Sequence, residues 1–224
     1  MSVKDDIRTL AFWVEHLTEE EAVRARRGLS EKSYSAGAYI CHRGDRFEPW
    51  TGVVTGLVKL SVVSADGRAI TFAGIGNGGW FGEGTVLKNE ARKYDLVALR
   101  DTRLGLLNRQ TFTWLYENSV GFNRFLVRQL NERMGQFIAT IETDRLLDPT
   151  ARVARHIAWL FNPVLYPNAG RSIAITQEEL ALLAGISRQA ANKGLQALEQ
   201  AGLIRLERSG LTVIDIEGLA RHGS

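Results

Sequence analysis

From Ile175 to Asp215 the chain reads ITQEELALLAGISRQAANKGLQALEQAGLIRLERSGLTVID, and this stretch decides the fold. Thr176 is a natural helix N-cap, and Glu179, three residues on, completes a capping box. Leu180, Leu183 and Ala184 form the buried face of a short helix that ends at Gly185, where glycine takes the left-handed conformation at little cost. Ile186 plugs the turn. Ser187 then caps a second helix whose buried face is Ala190, Ala191, Leu195 and Leu198, with alanines small enough for a close helix crossing. Gly202 stops that helix. The runs 203–207 and 211–215 read as two strands around Arg208-Ser209-Gly210, a short wing.

In such a unit the first turn of the second helix enters the major groove of DNA. Arg188 and Gln189 occupy that turn, with Asn192 and Lys193 one turn later. Arginine matches a guanine edge bidentately and glutamine an adenine edge. Lys193 suits phosphate or guanine, while Thr176, Gln177 and the Ser187 cap lie where helix N-termini meet phosphate oxygens. Taken singly, each of these charged residues reads as the solvated face of an amphipathic helix. Caps, glycine turn and wing in one register predict a DNA-binding winged helix-turn-helix.

Upstream, residues 119–147 contain no proline and no glycine-rich turn. Leu126, Leu130, Phe137 and Ile141 recur at spacings of four, seven and four, predicting one apolar face of a long helix, with Met134 beside it. Arg128, Glu132 and Glu142 lie on the opposite face. That helix packs either on its own domain or against a second copy of itself, and the periodicity alone does not choose between them. Asp148-Pro149 ends it, because the residue before proline avoids the α region. A helix over 150–161 and a turn-rich break at Pro163, Pro167, Asn168 and Gly170 lead back to the reading unit.

Twelve of the 22 glycines lie between Gly37 and Gly105, separating short β-like runs at 51–54, 56–63, 69–75, 96–98 and 102–108. Ser64-Ala65-Asp66-Gly67 joins two of them with a hairpin signal. The pattern predicts a β-barrel, β-roll or sandwich, preceded by a helical stretch at 7–17 and a polar helix at 19–28. The expected domains are therefore 1–118, 119–147 and 148–224.

The bulk numbers narrow the function classes. The chain has 224 residues, a net charge of +3 and 45% hydrophobic residues, which tolerates a polyanionic partner without requiring one. No apolar run reaches the roughly 18 to 20 residues that span a bilayer. Lys4, Asp5, Asp6, Arg8 and Glu15 punctuate the first seventeen residues, predicting no secretory signal and a cytoplasmic setting. Cys41, the single cysteine, excludes an intramolecular disulfide and a thiolate-held iron–sulfur cluster within one chain, and it reads as a small buried hydrophobe. Cys41-His42 has no metal-ligand spacing, and a haem on His42 or His16 is a weaker reading than a structural histidine. No nucleophile–base pair or phosphate loop is present, so neither an enzyme nor a metal site is expected.

From about Tyr34 onward the sequence resembles the Crp/Fnr superfamily of bacterial transcription regulators, named for the cyclic AMP receptor protein and the fumarate–nitrate regulator. GISRQAANKGLQALEQAGLI (185–204) is similar to the family's recognition-helix segment. Asp66-Gly67-Arg68, Gly79-Trp80-Phe81-Gly82-Glu83 and Arg92 are similar to its β-roll, in the same order. The resemblance implies an α+β architecture: an N-terminal cyclic-nucleotide-binding-like β-roll, a long dimerisation helix and a C-terminal winged helix-turn-helix. It implies a homodimer through Leu126, Leu130, Phe137 and Ile141, binding an interrupted palindrome in double-stranded DNA, and RNA polymerase as partner if the protein activates. In cyclic-AMP-responsive members a Gly-Glu pair meets the ribose and an Arg-Ser pair holds the cyclic phosphate. Gly82, Glu83 and Arg92 occupy those positions, implying a cyclic nucleotide or another small anionic effector. Two departures bear on this. Lys93 replaces the serine, and Phe137 and Ile138 replace the Thr-Ser pair that contacts the purine, so Phe137 can stack on a base without a side-chain hydrogen bond. Three alternatives stay open: Glu83 and Arg92 as a structural ion pair, an effector-independent DNA binder with a vestigial sensor, and a β-roll regulating a catalytic partner. The complete reading unit argues against the last.

Overall fold

The computed structural model describes residues 3–64, 66–67 and 69–223. Of the Ser64–Gly67 turn and the Asp66-Gly67-Arg68 run, Ala65 and Arg68 lie outside the described residues. In chain order the elements are α1 (Val3–Ile7), a 3-10 turn (Phe12–His16), α2 (Glu19–Gly28), β1 (Leu29–Tyr34), β2 (Tyr39–Cys41), β3 (Trp50–Thr55), β4 (Val58–Val63), β5 (Ala69–Ile75), β6 (Trp80–Phe81), α3 (Glu83–Lys88), β7 (Asp95–Ala98), β8 (Thr102–Leu107), α4 (Arg109–Asn118), α5 (Val120–Leu146), α6 (Pro149–Trp159), β9 (Ser172–Ile173), α7 (Gln177–Ala184), α8 (Arg188–Gln200), β10 (Ile204–Glu207), β11 (Gly210–Val213) and α9 (Ile216–Arg221). They fall into two compact units: Met1–Leu60 with Ile75–Glu132, and Ser61–Gly74 with Arg133–Ser224.

One four-stranded sheet, β1-β8-β3-β6, belongs wholly to the first unit, and the sheet ordered β2-β7-β4-β5 has residues 61–63 of β4 and 69–74 of β5 counted in the second. β8 is the centre of the first sheet, pairing antiparallel with β1 from Leu29↔Leu107 to Tyr34↔Thr102 and with β3 on its other side. The core is aromatic. Trp13, Trp50, Trp80, Phe112 and Phe122 are all essentially inaccessible to solvent. Ring centroids stand 4.4 Å apart for Trp50–Trp80 and 5.5 Å for Trp13–Phe122, within the range of favourable tilted and edge contacts.

The single helical stretch expected at 7–17 is instead α1, a break, and the 3-10 turn. Ala11, Trp13 and Val14 are all fully buried, and one amphipathic α-helix could not turn residues at that spacing inward together. Ala11 accordingly leaves helical geometry at φ −141° and ψ 82°. Cys41 is buried, which pushes its thiol up to about 11, as suits a small apolar filler.

The second unit holds Ser61–Gly74, the C-terminal part of α5 and everything after it. α6 starts at Pro149 with Asp148 as cap, its carboxylate accepting from the amides of Thr150 and Ala151. A three-stranded sheet, β10-β11-β9, closes the unit. Tyr166, buried in the loop after α6, donates its hydroxyl to the Gly74 carbonyl at 3.3 Å. Among the described residues no helix is long and apolar enough to cross a membrane.

The long helix departs from expectation at one position. Leu126 is only 3% exposed and packs in the aromatic core of the first unit, so it is removed from the expected contact face. Besides Val120 and Leu146 at its two ends, the exposed apolar residues of α5 are Val127, Leu130, Met134, Phe137 and Ile141, with Ile138 beside them. Their spacing of three, four, three and four is a heptad seam, which the spacing from Leu126 had obscured.

Candidate nucleic-acid interface and sensor site

The reading unit is built by caps. At the start of α7, Thr176 Oγ1 accepts from the Glu179 amide at 3.1 Å, while Glu179 Oε2 accepts from the Thr176 amide at 2.7 Å. This reciprocal pair satisfies two donors that a helix start otherwise leaves open. Gly185, at φ 62°, ends α7, and Ser187 Oγ accepts from the Ala190 amide at 3.1 Å to start α8. Ser187 therefore meets any ligand with its hydroxyl already engaged as an acceptor. α8 buries Ala191, Gly194, Leu195 and Leu198, with Ala190 only half-buried.

This framework places Thr176, Gln177 and Arg188 in one cleft of about 340 Å³ with the wing residues Arg208 and Ser209. Thr176, Arg188, Gln189 and Lys193 are exposed, and Gln177 and Asn192 half-buried. Gln189 and Lys193 lie on the outward ridge of α8 rather than in the cleft. The cleft presents hydroxyl, amide and guanidinium donors that suit a phosphate backbone, beside the carboxylates of Glu178 and Glu207. Sequence reasoning recognised the wing but did not nominate Arg208 or Ser209. The signal available was an arginine at the tip of a hairpin directly after a recognition helix.

Behind the reading helices lies a polar cluster that runs from exposed Asp144 to buried His156. Arg152 Nη2, on α6, donates to the Ala184 carbonyl at 2.5 Å and to Asp144 Oδ1, on α5, at 3.2 Å. It thereby satisfies an orphan carbonyl at the C-terminus of α7 and places positive charge at the negative end of that helix dipole. His156 Nε2 stands 3.5 Å from the same Asp144 oxygen, and its ring meets Trp159 edge-on at 4.9 Å. Burial pushes the His156 pKa down from 6.5 to about 4, against the opposing pull of Asp144. The unfolded chain thus takes this proton near 6.5 and the folded chain only near 4. Stability from this site is complete above the higher value and declines as pH falls toward the lower, by at most about 1.4 kcal/mol per unit. His156→Gln should flatten this part of the pH–stability curve in denaturant titrations; a slope equal to wild type would assign it to another group.

In the sensor, Gly82 caps α3 at φ 90°. Its missing Cβ is required by proximity as well as by conformation, because a Cβ there would collide with the Arg92 guanidinium. Arg92 is 1% exposed. It donates from Nε to the Phe47 carbonyl at 3.3 Å, from Nη2 to the Pro49 carbonyl at 3.0 Å, and from Nη1 to the Tyr94 hydroxyl at 3.4 Å, and it lies over the Phe47 ring. Main-chain bonds from Gly44 to Arg92 and from Arg92 to Asp45 clamp the same loop. Glu83 is also buried. Lys93 pairs at 3.2 Å with Glu90, whose carboxyl is held below its usual range chiefly by that contact. Phe137 is a member of the α5 seam and belongs to the other unit. Gly82 and Arg92 thus meet directly.

Comparison with known proteins bears on both regions. The family model for the cyclic nucleotide-binding domain matches residues 31–119, and that for the Crp-like helix-turn-helix domain matches residues 151–222. The chain is 30% identical over 190 residues to the cyclic AMP receptor protein of Thermus thermophilus, covering 85% of this chain and 86% of that protein. A solved CRP/FNR-family transcriptional regulator from the same organism superposes with a TM-score of 0.61 at 26% identity, covering 87% of this chain and all of that one. The c-di-GMP-responsive global regulator CLP of Xanthomonas campestris shares the fold, with a TM-score of 0.63 at 21% identity over 88% of this chain and 99% of that one.

Proposed function

Because the chain belongs to the Crp/Fnr family of DNA-binding transcription regulators, and is not an enzyme, we propose that it binds an interrupted palindromic operator as a homodimer. The observation that carries this reading is the exposed heptad seam of α5 in a chain that also holds one complete winged helix-turn-helix. Two-fold pairing of such helices sets two recognition helices into successive major grooves, about 34 Å apart. The working boundaries are 1–118 for the sensor, 119–147 for the dimer helix and 148–224 for the reading domain, in the cytoplasm where the DNA lies. RNA polymerase is the partner if the bound protein activates.

DNA contacts are assigned to Thr176, Gln177, Ser187, Arg188, Gln189, Asn192 and Lys193. Arg188, in the first turn of α8, pairs with guanine, and Lys193 acts mainly through charge. The test is binding to a randomised-site library at two salt concentrations. Arg188→Ala should cost about 1 to 3 kcal/mol per half-site and relax preference at one base pair. Lys193→Ala should weaken all sequences alike and reduce the salt slope by about one unit. An Arg188→Ala protein with unchanged base preference would remove that residue from base reading.

The sensor belongs to a cyclic-nucleotide-binding class, and a small anionic effector held at Gly82, Glu83, Arg92 and Lys93, with Phe137 stacking on its base, is the first reading. A second reading has an observation of its own. Arg92 commits three of its N–H donors to the carbonyls of Phe47 and Pro49 and to Tyr94, as expected if the sensor is vestigial and DNA binding independent of effector. Calorimetric titration with cyclic AMP, cyclic GMP and cyclic di-GMP, together with operator affinity with and without each, separates the two.

A further inference from the structure

The outward ridge of α8 is made of glutamine. Ala191, Gly194, Leu195 and Leu198 fix which side of the helix is buried. Gln189 and Gln196, seven residues apart, lie within about 20° of each other on the helix and within about 30° of the direction opposite the buried side. Both are exposed, as are Lys193 between them and Gln200 beyond. Arg188 turns instead to the flank, into the cleft with Thr176 and Arg208. This ridge therefore presents the carboxamides of Gln189 and Gln196 with the Lys193 ammonium between them.

Exposed glutamine on a helix is ordinarily no more than a good helix former facing water. Here the placement of charge adds to it. Glu199 is the one carboxylate in α8, and its Oε1 accepts from the Leu206 amide at 2.7 Å, turned back toward the wing strand β10. The ridge thus carries no negative charge to repel a phosphate backbone, one positive charge at Lys193, and two side chains that each present a donor and an acceptor. A carboxamide matches the N6/N7 edge of adenine in the major groove, and only that edge, with two hydrogen bonds. Seven residues span about 10 Å of helix, the rise of about three base pairs.

We propose that α8 reads A·T base pairs at two positions about three base pairs apart in each half-site, Gln189 at one and Gln196 at the other, so that Gln196 is a specificity-determining residue. This rests on α8 being the major-groove helix of a dimer, as set out above.

The experiment is selection from a randomised duplex library with full-length wild type, Gln189→Ala and Gln196→Ala, each with and without cyclic AMP, cyclic GMP and cyclic di-GMP. Wild type should select adenine at both positions in two symmetric half-sites. Gln196→Ala should lose discrimination by tenfold or more at one position and keep the other, with Gln189→Ala doing the converse, while both variants melt at the wild-type temperature. Gln196→Ala with every base preference intact, or with all sequences weakened equally, overturns the inference and leaves the dimeric operator reading standing. A wild type that selects no sequence under any condition overturns both.

Discussion

Leu130→Glu combined with Phe137→Glu should convert the protein to monomers and abolish tight operator binding. Both side chains lie on the α5 seam, 40% and 47% exposed in a single chain, where a free monomer would hold apolar surface against water. Each is worth about 1.5 to 3 kcal/mol when fully buried, and a two-fold interface contains two copies of each. Dimerisation buries only the part that one chain leaves exposed, somewhat less than half of that per side chain. Losing all four therefore removes about 3 to 5 kcal/mol, or about two to four orders of magnitude in the dimer dissociation constant, before any repulsion among the carboxylates. Sedimentation velocity at micromolar concentration reads the outcome. A double variant that sediments as a dimer would move the interface off α5. Leu126→Glu is the contrasting case: it buries a charge in the aromatic core and should unfold the first unit rather than dissociate a folded one.

Arg92→Ala should lower the stability of the β-roll by about 2 to 4 kcal/mol, and its melting temperature by about 10 °C or more. The guanidinium serves two carbonyls and a hydroxyl from a position with 1% exposure, so truncation strands acceptors and opens a void at once. Arg92→Lys keeps the charge but not the fork, and should recover only part of the loss. If instead Arg92→Ala melts like wild type while a nucleotide response disappears, the arginine serves the ligand and not the roll. Calorimetric melting beside nucleotide titration reads both quantities on the same protein.

What was legible in the sequence was local. The Thr176 capping box, the Gly185 stop and the Ser187 cap are short-range chemistry, and each forms as the residue types dictate. Positions that depend on distant partners read less well. Leu126 and Leu130 are equally apolar, yet one faces Trp50, Trp80 and Phe122 in the core while the other faces out, and only the packed β-roll distinguishes them. Whether Arg92 holds an anion or serves the roll stayed open in the sequence because its acceptors, the carbonyls of residues 47 and 49, have no side-chain signature. The short elements β6, α3, α4 and α9 went unread because two to ten residues carry too little periodicity. Gln196 has no signal of its own in the sequence, because an exposed glutamine is an ordinary helix former; it stands out only once the buried side of α8 fixes the outward ridge.

Arg152 gives the reading head a mechanical character. A flexible joint would let the first reading helix drift by degrees relative to the end of the long helix. Here one nitrogen, Nη2, holds the Ala184 carbonyl and the Asp144 carboxylate together, so a tilt that lengthens either bond disturbs both. The angle between the end of α7 and the end of α5 is thus tied to a single guanidinium as well as to helix packing, and removing that group would leave a carbonyl and a carboxylate without their shared donor at once.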